Sequence, residues 1–227
     1  MYARRVDNRT LRFGVSGKLI RNSLVMFDRE TGTLWSHLTG EAIEGPLKGR
    51  TLEIVVSDRT SWGVWRQRHP STEILRTDSF EDPYRGYYAG SDTGVTSTRH
   101  NDGRLGAKEK IIGVRLAGAV KAYAFSALAR QRVVDDEVGG VPIVIIFDGP
   151  TESGAVYRRD PGGTLLTFSA GAGALLMRDA ETSSNWDGIA GRATDGKLAG
   201  TSLEQVPITY SFWFGWADFY PQTAVYR

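Results

Sequence analysis

The chain has 227 residues, of which 41% are apolar and 24% charged, and its 28 basic and 26 acidic residues leave a formal net charge of +2. That length buries a real core, and the balanced charge argues against a nucleic-acid partner, which draws on a basic patch or stripe. The chain has no cysteine, so disulfides, thiolate nucleophiles and cysteine-based zinc or iron–sulfur sites are all excluded.

Taken in chain order, Met1-Tyr2-Ala3-Arg4-Arg5-Val6-Asp7 lacks the apolar core of a signal peptide. Residues 10–15 read as a short strand and 19–27 as a second apolar stretch. Asp28-Arg29-Glu30-Thr31-Gly32-Thr33-Leu34-Trp35 then reads as a hairpin, with an acidic turn opener and a glycine suited to positive φ. Gly40, Gly45 and Gly49 punctuate a turn-rich stretch before a strand over 51–56. Glycine makes up 27 of the 227 residues, about 12% against roughly 7% in average usage, and its scatter among β-branched and aromatic residues means turns between short strands. A helix follows, with Thr60 as hydroxyl N-cap and Pro70 as stop. Trp62, Trp65 and His69 share one face of it, which is expected to pack on a sheet.

Residues 77–109 read as a long surface connection, partly ordered by Tyr84, Tyr87 and Tyr88. Strands are expected over 111–116 and 120–123 around the turn Ala117-Gly118-Ala119. A helix over 126–131, a turn at Gly139-Gly140 and a strand over 141–147 complete this block. That last strand is the longest apolar run and falls far short of a membrane span.

The strongest pattern is an internal repeat: residues 28–76 align without a gap on 179–227, at an offset of 151. Asp28 falls on Asp179, Trp35 on Trp186, Trp62 on Trp213, Trp65 on Trp216 and Pro70 on Pro221. Gly40, Gly45 and Gly49 fall on Gly191, Gly196 and Gly200. Upstream, Tyr2, Leu11 and Phe13 match Tyr157, Leu166 and Phe168 after a four-residue deletion in the second copy. The Asp-x-x-Thr-Gly turn resembles that of β-propeller blades, but this spacing is far too long for blades or a solenoid and means a duplicated unit. The expected division is 1–76 for the first copy, 77–109 for the connection and 110–227 for the second copy. The block 110–156 precedes Tyr157, and no counterpart precedes Tyr2. The expectation is therefore a truncated or internally started chain, or a partner chain or self-association that covers the exposed edge.

Several strings are similar to the domain of unknown function 3179 family. They include Phe13-Gly14-Val15-Ser16-Gly17-Lys18-Leu19, Leu24 through Trp35, and Leu38-Thr39-Gly40-Glu41-Ala42-Ile43-Glu44-Gly45-Pro46. Val133-Val134-Asp135-Asp136-Glu137-Val138-Gly139-Gly140-Val141-Pro142 and Phe212-Trp213-Phe214-Gly215-Trp216 belong with them. The resemblance covers nearly the whole chain and implies an extracytoplasmic location, since members commonly look exported or lipid-anchored. It carries no established activity. Members typically hold a Cys-Pro-Leu-x-Gly stretch just before the point matching Met1, and this chain lacks it.

Residues kept in both copies default to scaffold, because two separated positions seldom need the same chemistry. Residues that differ are the candidates for function. The first copy holds Ser16, Arg21 and Asn22 where the second has a short loop of glycine and alanine, and His37 faces Gly188. Ser16, Arg21, Asn22 and His37 are thus the ligand-binding candidates, against the plainer reading that a longer loop is simply more polar. His37, His69 and His100 have no metal-ligand spacing, and no cofactor fingerprint is present: Gly171-Ala172-Gly173 precedes no helix, and Gly14-Val15-Ser16-Gly17 is no nucleophile elbow. The expected fold is β-rich α+β, two pseudosymmetric copies of a mostly antiparallel sheet unit, each with a short Trp-bearing helix. The expected function is a binding or accessory module for a small or extended ligand between the copies, without metal, nucleic acid or membrane span. The alternative is an enzyme using Ser16, Arg21, Asn22 and His37.

Overall fold

The structure, a computed structural model, describes residues 1–75, 82, 84–90, 93–94 and 102–227. Much of the expected connection, including His100, lies outside the described residues. The fold is β-rich α+β, and among the described residues every strand pair but one is antiparallel.

A small hairpin of β1 (Arg5–Val6) and β2 (Arg9–Thr10) leads into a meander of β3 (Phe13–Ile20), β4 (Ser23–Asp28), β5 (Leu34–Ser36) and β6 (Ala42–Glu44). The strand expected over 10–15 is split, because Leu11 leaves the strand edge and is fully buried in a small core with Val6, Trp35, Ala42 and Leu52. The strand expected over 51–56 is two isolated bridges, Glu41↔Thr51 and Tyr2↔Ile54. Next come α1 (Trp62–Arg68) and α2 (Arg85–Ala89).

The block that follows is the best-packed part. β7 (Lys110–Leu116) and β8 (Ala119–Ala124) form a hairpin, α3 (Phe125–Arg130) follows, and β9 (Val133–Val138), β10 (Val141–Asp148) and β11 (Ser153–Arg158) form a three-stranded sheet. β10 is central to this sheet and buried on both faces. Ile143, Ile145 and Phe147 join Ile112, Tyr123 and Leu128 on one side, and Val144 and Ile146 join Trp186 and Met177 on the other. The strand period of two assigns successive side chains to these two cores.

β12 (Phe168–Ala170), β13 (Leu176–Asp179), β14 (Asn185–Asp187) and β15 (Arg192–Ala193) form a second meander. β16 (Ile208–Phe212), α4 (Trp213–Phe219) and β17 (Ala224–Tyr226) close the chain, and β16 and β17 flank the β7–β8 hairpin in a four-stranded sheet.

The two repeat segments share their local bonds. Trp35 Nε1 donates to Asp28 Oδ2 at 2.9 Å, and Trp186 Nε1 to Asp179 Oδ2 at 2.9 Å. Thr31 N and Thr182 N each donate to the aspartate Oδ1 three residues back, both at 2.6 Å. Gly45 and Gly196 both have positive φ, and a Cβ on either would come within 3 Å of Thr33 or Ser184 backbone. The two helices differ. Trp213 is fully buried, but Trp62 is 43% exposed, which corrects the expectation that the Trp62 face packs on a sheet. α4 packs on the β7–β8 hairpin, and among the described residues no such hairpin lies beneath α1. The N-cap of α1 lies one residue after the expected Thr60, at Ser61, whose hydroxyl accepts from Val64 N, and that of α4 is Phe212, which has no hydroxyl to offer.

Candidate functional site

A cavity of about 680 Å³ is walled by both repeat segments. On one side the β3–β4 turn places Ser23. Arg21 and Asn22 take positive φ there (49° and 58°), as a two-residue hairpin turn requires. His37 N donates to Leu24 O at 3.1 Å, which fixes the residue after β5 beside β4 and turns it to the cavity. Arg59 comes from the extended chain before α1. The opposite wall is Lys110 at the start of β7, Phe125 at the start of α3, and Tyr210 on β16, with Lys108 at the rim.

The charges in this wall are unequal. Lys110 Nζ lies 2.6 Å from Glu152 Oε1, and Arg59 Nη2 lies 3.8 Å from Glu152 Oε2, so two cations share one carboxylate. Lys108 Nζ donates to the Tyr87 carbonyl and, at 2.8 Å, to the Gly90 carbonyl, and sits 3.8 Å from the Tyr87 ring centroid. The Arg59 guanidinium lies over the Tyr210 ring at 4.7 Å. No carboxylate lines the cavity among the described residues, so the wall attracts anions. Tyr210 donates to Gly154 O at 3.0 Å, and burial pushes its pKa well above the ordinary phenol value, so it stays a neutral donor. His37 is exposed at the cavity mouth, yet desolvation by the surrounding wall, then the nearby N-terminal ammonium, hold its pKa below the usual imidazole value. It is a neutral imidazole at neutral pH.

Of the four residues singled out in the sequence, only His37 lines the cavity. Ser16 Oγ donates to Val25 O at 2.5 Å and accepts from Lys18 N at 3.1 Å, across the irregular register between Val15 and Leu19. Arg21 reaches the other segment, where Nη1 donates to Asp218 O at 2.8 Å and the guanidinium lies 5.2 Å from the Phe219 ring centroid. Asn22 packs on Gly94, where an added Cβ would sit 2.6 Å from its Oδ1. In the second segment's shorter loop, the Gly171 and Gly173 carbonyls accept from Arg132.

Arg59, Lys108, Lys110 and Tyr210 were not among the sequence candidates. Arg59 and Tyr210 are repeat equivalents, 151 residues apart, so their difference was a usable signal. The two lysines carry no motif. Among the described residues no group of three or more His, Asp or Glu side chains is placed to hold a metal ion. No helix among them is long and apolar enough to cross a membrane. No curated protein and no solved structure matches the chain. The family model described as Protein of unknown function (DUF3179) matches residues 1–223, and the chain belongs to that family.

Proposed function

We propose that the protein is a binding module that takes a small anionic ligand with an apolar or aromatic body between its first unit (1–76) and its second (110–227). The observation that carries this reading is the cavity wall, where Arg59, Lys108 and Lys110 meet Phe125 and Tyr210 with no carboxylate on the lining among the described residues. Its volume lies within the range of small-molecule sites, and polar groups set among the aromatic rings of the wall are what orient such a ligand. The enzyme alternative needs a base within reach of a nucleophile or carboxylate. Among the described residues the His37 imidazole makes no such bond and Ser16 is tied to a strand carbonyl, which favours binding over catalysis.

The test is calorimetric titration with benzoate, acetate and inorganic phosphate. Benzoate is expected to bind more tightly than acetate, and Lys108→Ala or Arg59→Ala to weaken it about tenfold, close to 1.4 kcal/mol. Affinity is expected to rise as pH falls through the lowered pKa of His37, since protonation adds a positive charge facing the anion. His37→Ala should flatten that dependence. Equal binding by the parent protein and both cation variants would defeat the reading.

A further inference from the structure

In the second repeat segment a strand–helix–strand unit closes around a hairpin. β16 runs antiparallel to β7, with Thr209 opposite Gly113 and Ser211 opposite Ile111, and β17 runs parallel to β8 on the far side. α4 packs on this sheet, setting Trp213 and Trp216 against Ile111 and Ala122. Gly113 lies so close under the Trp216 indole that a Cβ there would sit 2.3 Å from ring carbons.

Among the described residues, the first segment holds the same unit with no hairpin between its arms. Residues 57–61 correspond to β16, α1 to α4, and 73–75 to β17. The link from helix to following arm is already made: Trp65 Nε1 donates to Thr72 Oγ1 at 2.9 Å, as Trp216 Nε1 donates to Thr223 Oγ1 at 3.1 Å. What differs is cover. Val55, Trp62, Ile74 and Leu75 are 39%, 43%, 64% and 93% exposed, whereas Val206 and Trp213 are buried and Val225 and Tyr226 half-buried.

The backbone points the same way. The Arg59 carbonyl accepts from Gly154 N at 3.2 Å, and neighbours along an extended chain turn their polar groups to opposite edges. Asp58 and Thr60 therefore face the other edge, as do their equivalents Thr209 and Ser211, which lie against β7. Among the described residues neither Asp58 nor Thr60 makes a backbone–backbone hydrogen bond. An unpaired edge beside uncovered apolar side chains is a template for strand addition.

We infer that the α1 face is a docking site for a β-hairpin of a partner polypeptide, which enters between residues 57–61 and 73–75. Its chemistry follows from the hairpin in the equivalent place: aliphatic side chains toward the tryptophans, a glycine under Trp65 and an alanine on the adjoining strand. A second copy of this chain is a poor donor. Its own 110–124 hairpin is locked in the second segment, with Ile111, Ile112 and Val114 fully buried.

The probe is a peptide of residues 107–124, added to the full chain and, separately, tethered ahead of Met1 by a flexible linker that raises its effective concentration to about the millimolar range. The tethered form keeps the test decisive if the free peptide does not form a hairpin. Trp35, Trp186, Trp213 and Trp216 are already buried, so a blue shift in emission reports Trp62 and Trp65. The expected result is that shift, with amide exchange at Asp58 and Thr60 slowed about tenfold or more. Gly113→Val in the peptide, or Trp65→Ala in the chain, should abolish both. Unchanged emission and exchange with the tethered hairpin would overturn the inference, and so would equal binding of the Gly113→Val hairpin. Self-association that buries Trp62 and resists displacement by the tethered hairpin would assign the face to a second copy instead.

Discussion

Asp28 and Asp179 are both buried, and each accepts from the indole of the tryptophan seven residues later at 2.9 Å. Trp62 and Trp213 also hold equivalent positions, yet one is 43% exposed and the other fully buried. The turn closes on itself: aspartate, threonine and tryptophan lie within eight residues and satisfy one another in either segment. The helix cannot do this. Its apolar face is written in the sequence at i, i+3 spacing, but what covers it comes from about a hundred residues away. Repetition of sequence therefore guarantees repetition of structure only where a motif carries its own partners.

The largest effect separates the helices. Trp213→Ala removes a fully buried ring packed on the β7–β8 hairpin and is expected to destabilise by about 3–5 kcal/mol. Trp62→Ala, at the equivalent exposed position, is expected to lose less than about 1 kcal/mol. Urea unfolding of both variants measures the difference, and equal losses would erase the contrast.

The turns should behave alike. Asp28→Ala and Asp179→Ala each strip the acceptor from an indole N–H and from the threonine three residues on, and each is expected to lose about 2–3 kcal/mol. A large gap between the two would show that the surrounding core, not the turn, sets their worth. Acid should reveal the same pair. Burial alone raises each pKa, but hydrogen bonds from the tryptophan, threonine and nearby backbone outweigh it and hold both carboxylates below the usual value. With folded pKa values below the unfolded value of about 3.9, their stabilisation is complete above about pH 5. It is lost as pH falls through 4 toward the folded values. The urea midpoint of the parent should therefore drop more steeply between pH 5 and 3 than that of the Asp28→Asn/Asp179→Asn double variant. Parallel curves would remove these two groups from the acid response.

How far the sequence was legible follows the same division. The Asp–Trp turn, the β7–β8 hairpin, α3 and β10 could be read because their signals are local. β9 was hidden by Asp135, Asp136 and Glu137, which break the apolar alternation. Asp136 is explained only in the fold, where it accepts from Tyr123 at 2.9 Å and pairs with Lys121 at 2.6 Å. β16 was hidden by Thr209 and Ser211, whose reason is the ladder with β7. The cavity could be read in part: His37 stood out because its equivalent is glycine, whereas Lys108 and Lys110 reach the site only through the β7 pairing. Exposure of Trp62 could not be read at all, since periodicity names an apolar face but not its partner.

The smallest expected effect bears on whether the two segments are coupled. Arg21 sits at the tip of a turn that the second segment lacks, and its contacts, Asp218 O at 2.8 Å and the Phe219 ring at 5.2 Å, belong to α4. It is exposed, and contacts of this kind contribute about 0.5–1 kcal/mol in water. If Arg21 is a tether, Arg21→Ala should lower the urea midpoint by no more than that amount. It should also speed amide exchange on both sides of the contact, in the β3–β4 turn and at the end of α4, while benzoate binding changes little. If it is instead a ligand contact, the variant should weaken binding and leave exchange in α4 untouched. Coupled exchange would mean that the two segments, whose tryptophan helices are so differently buried, still move together through a residue only one of them possesses.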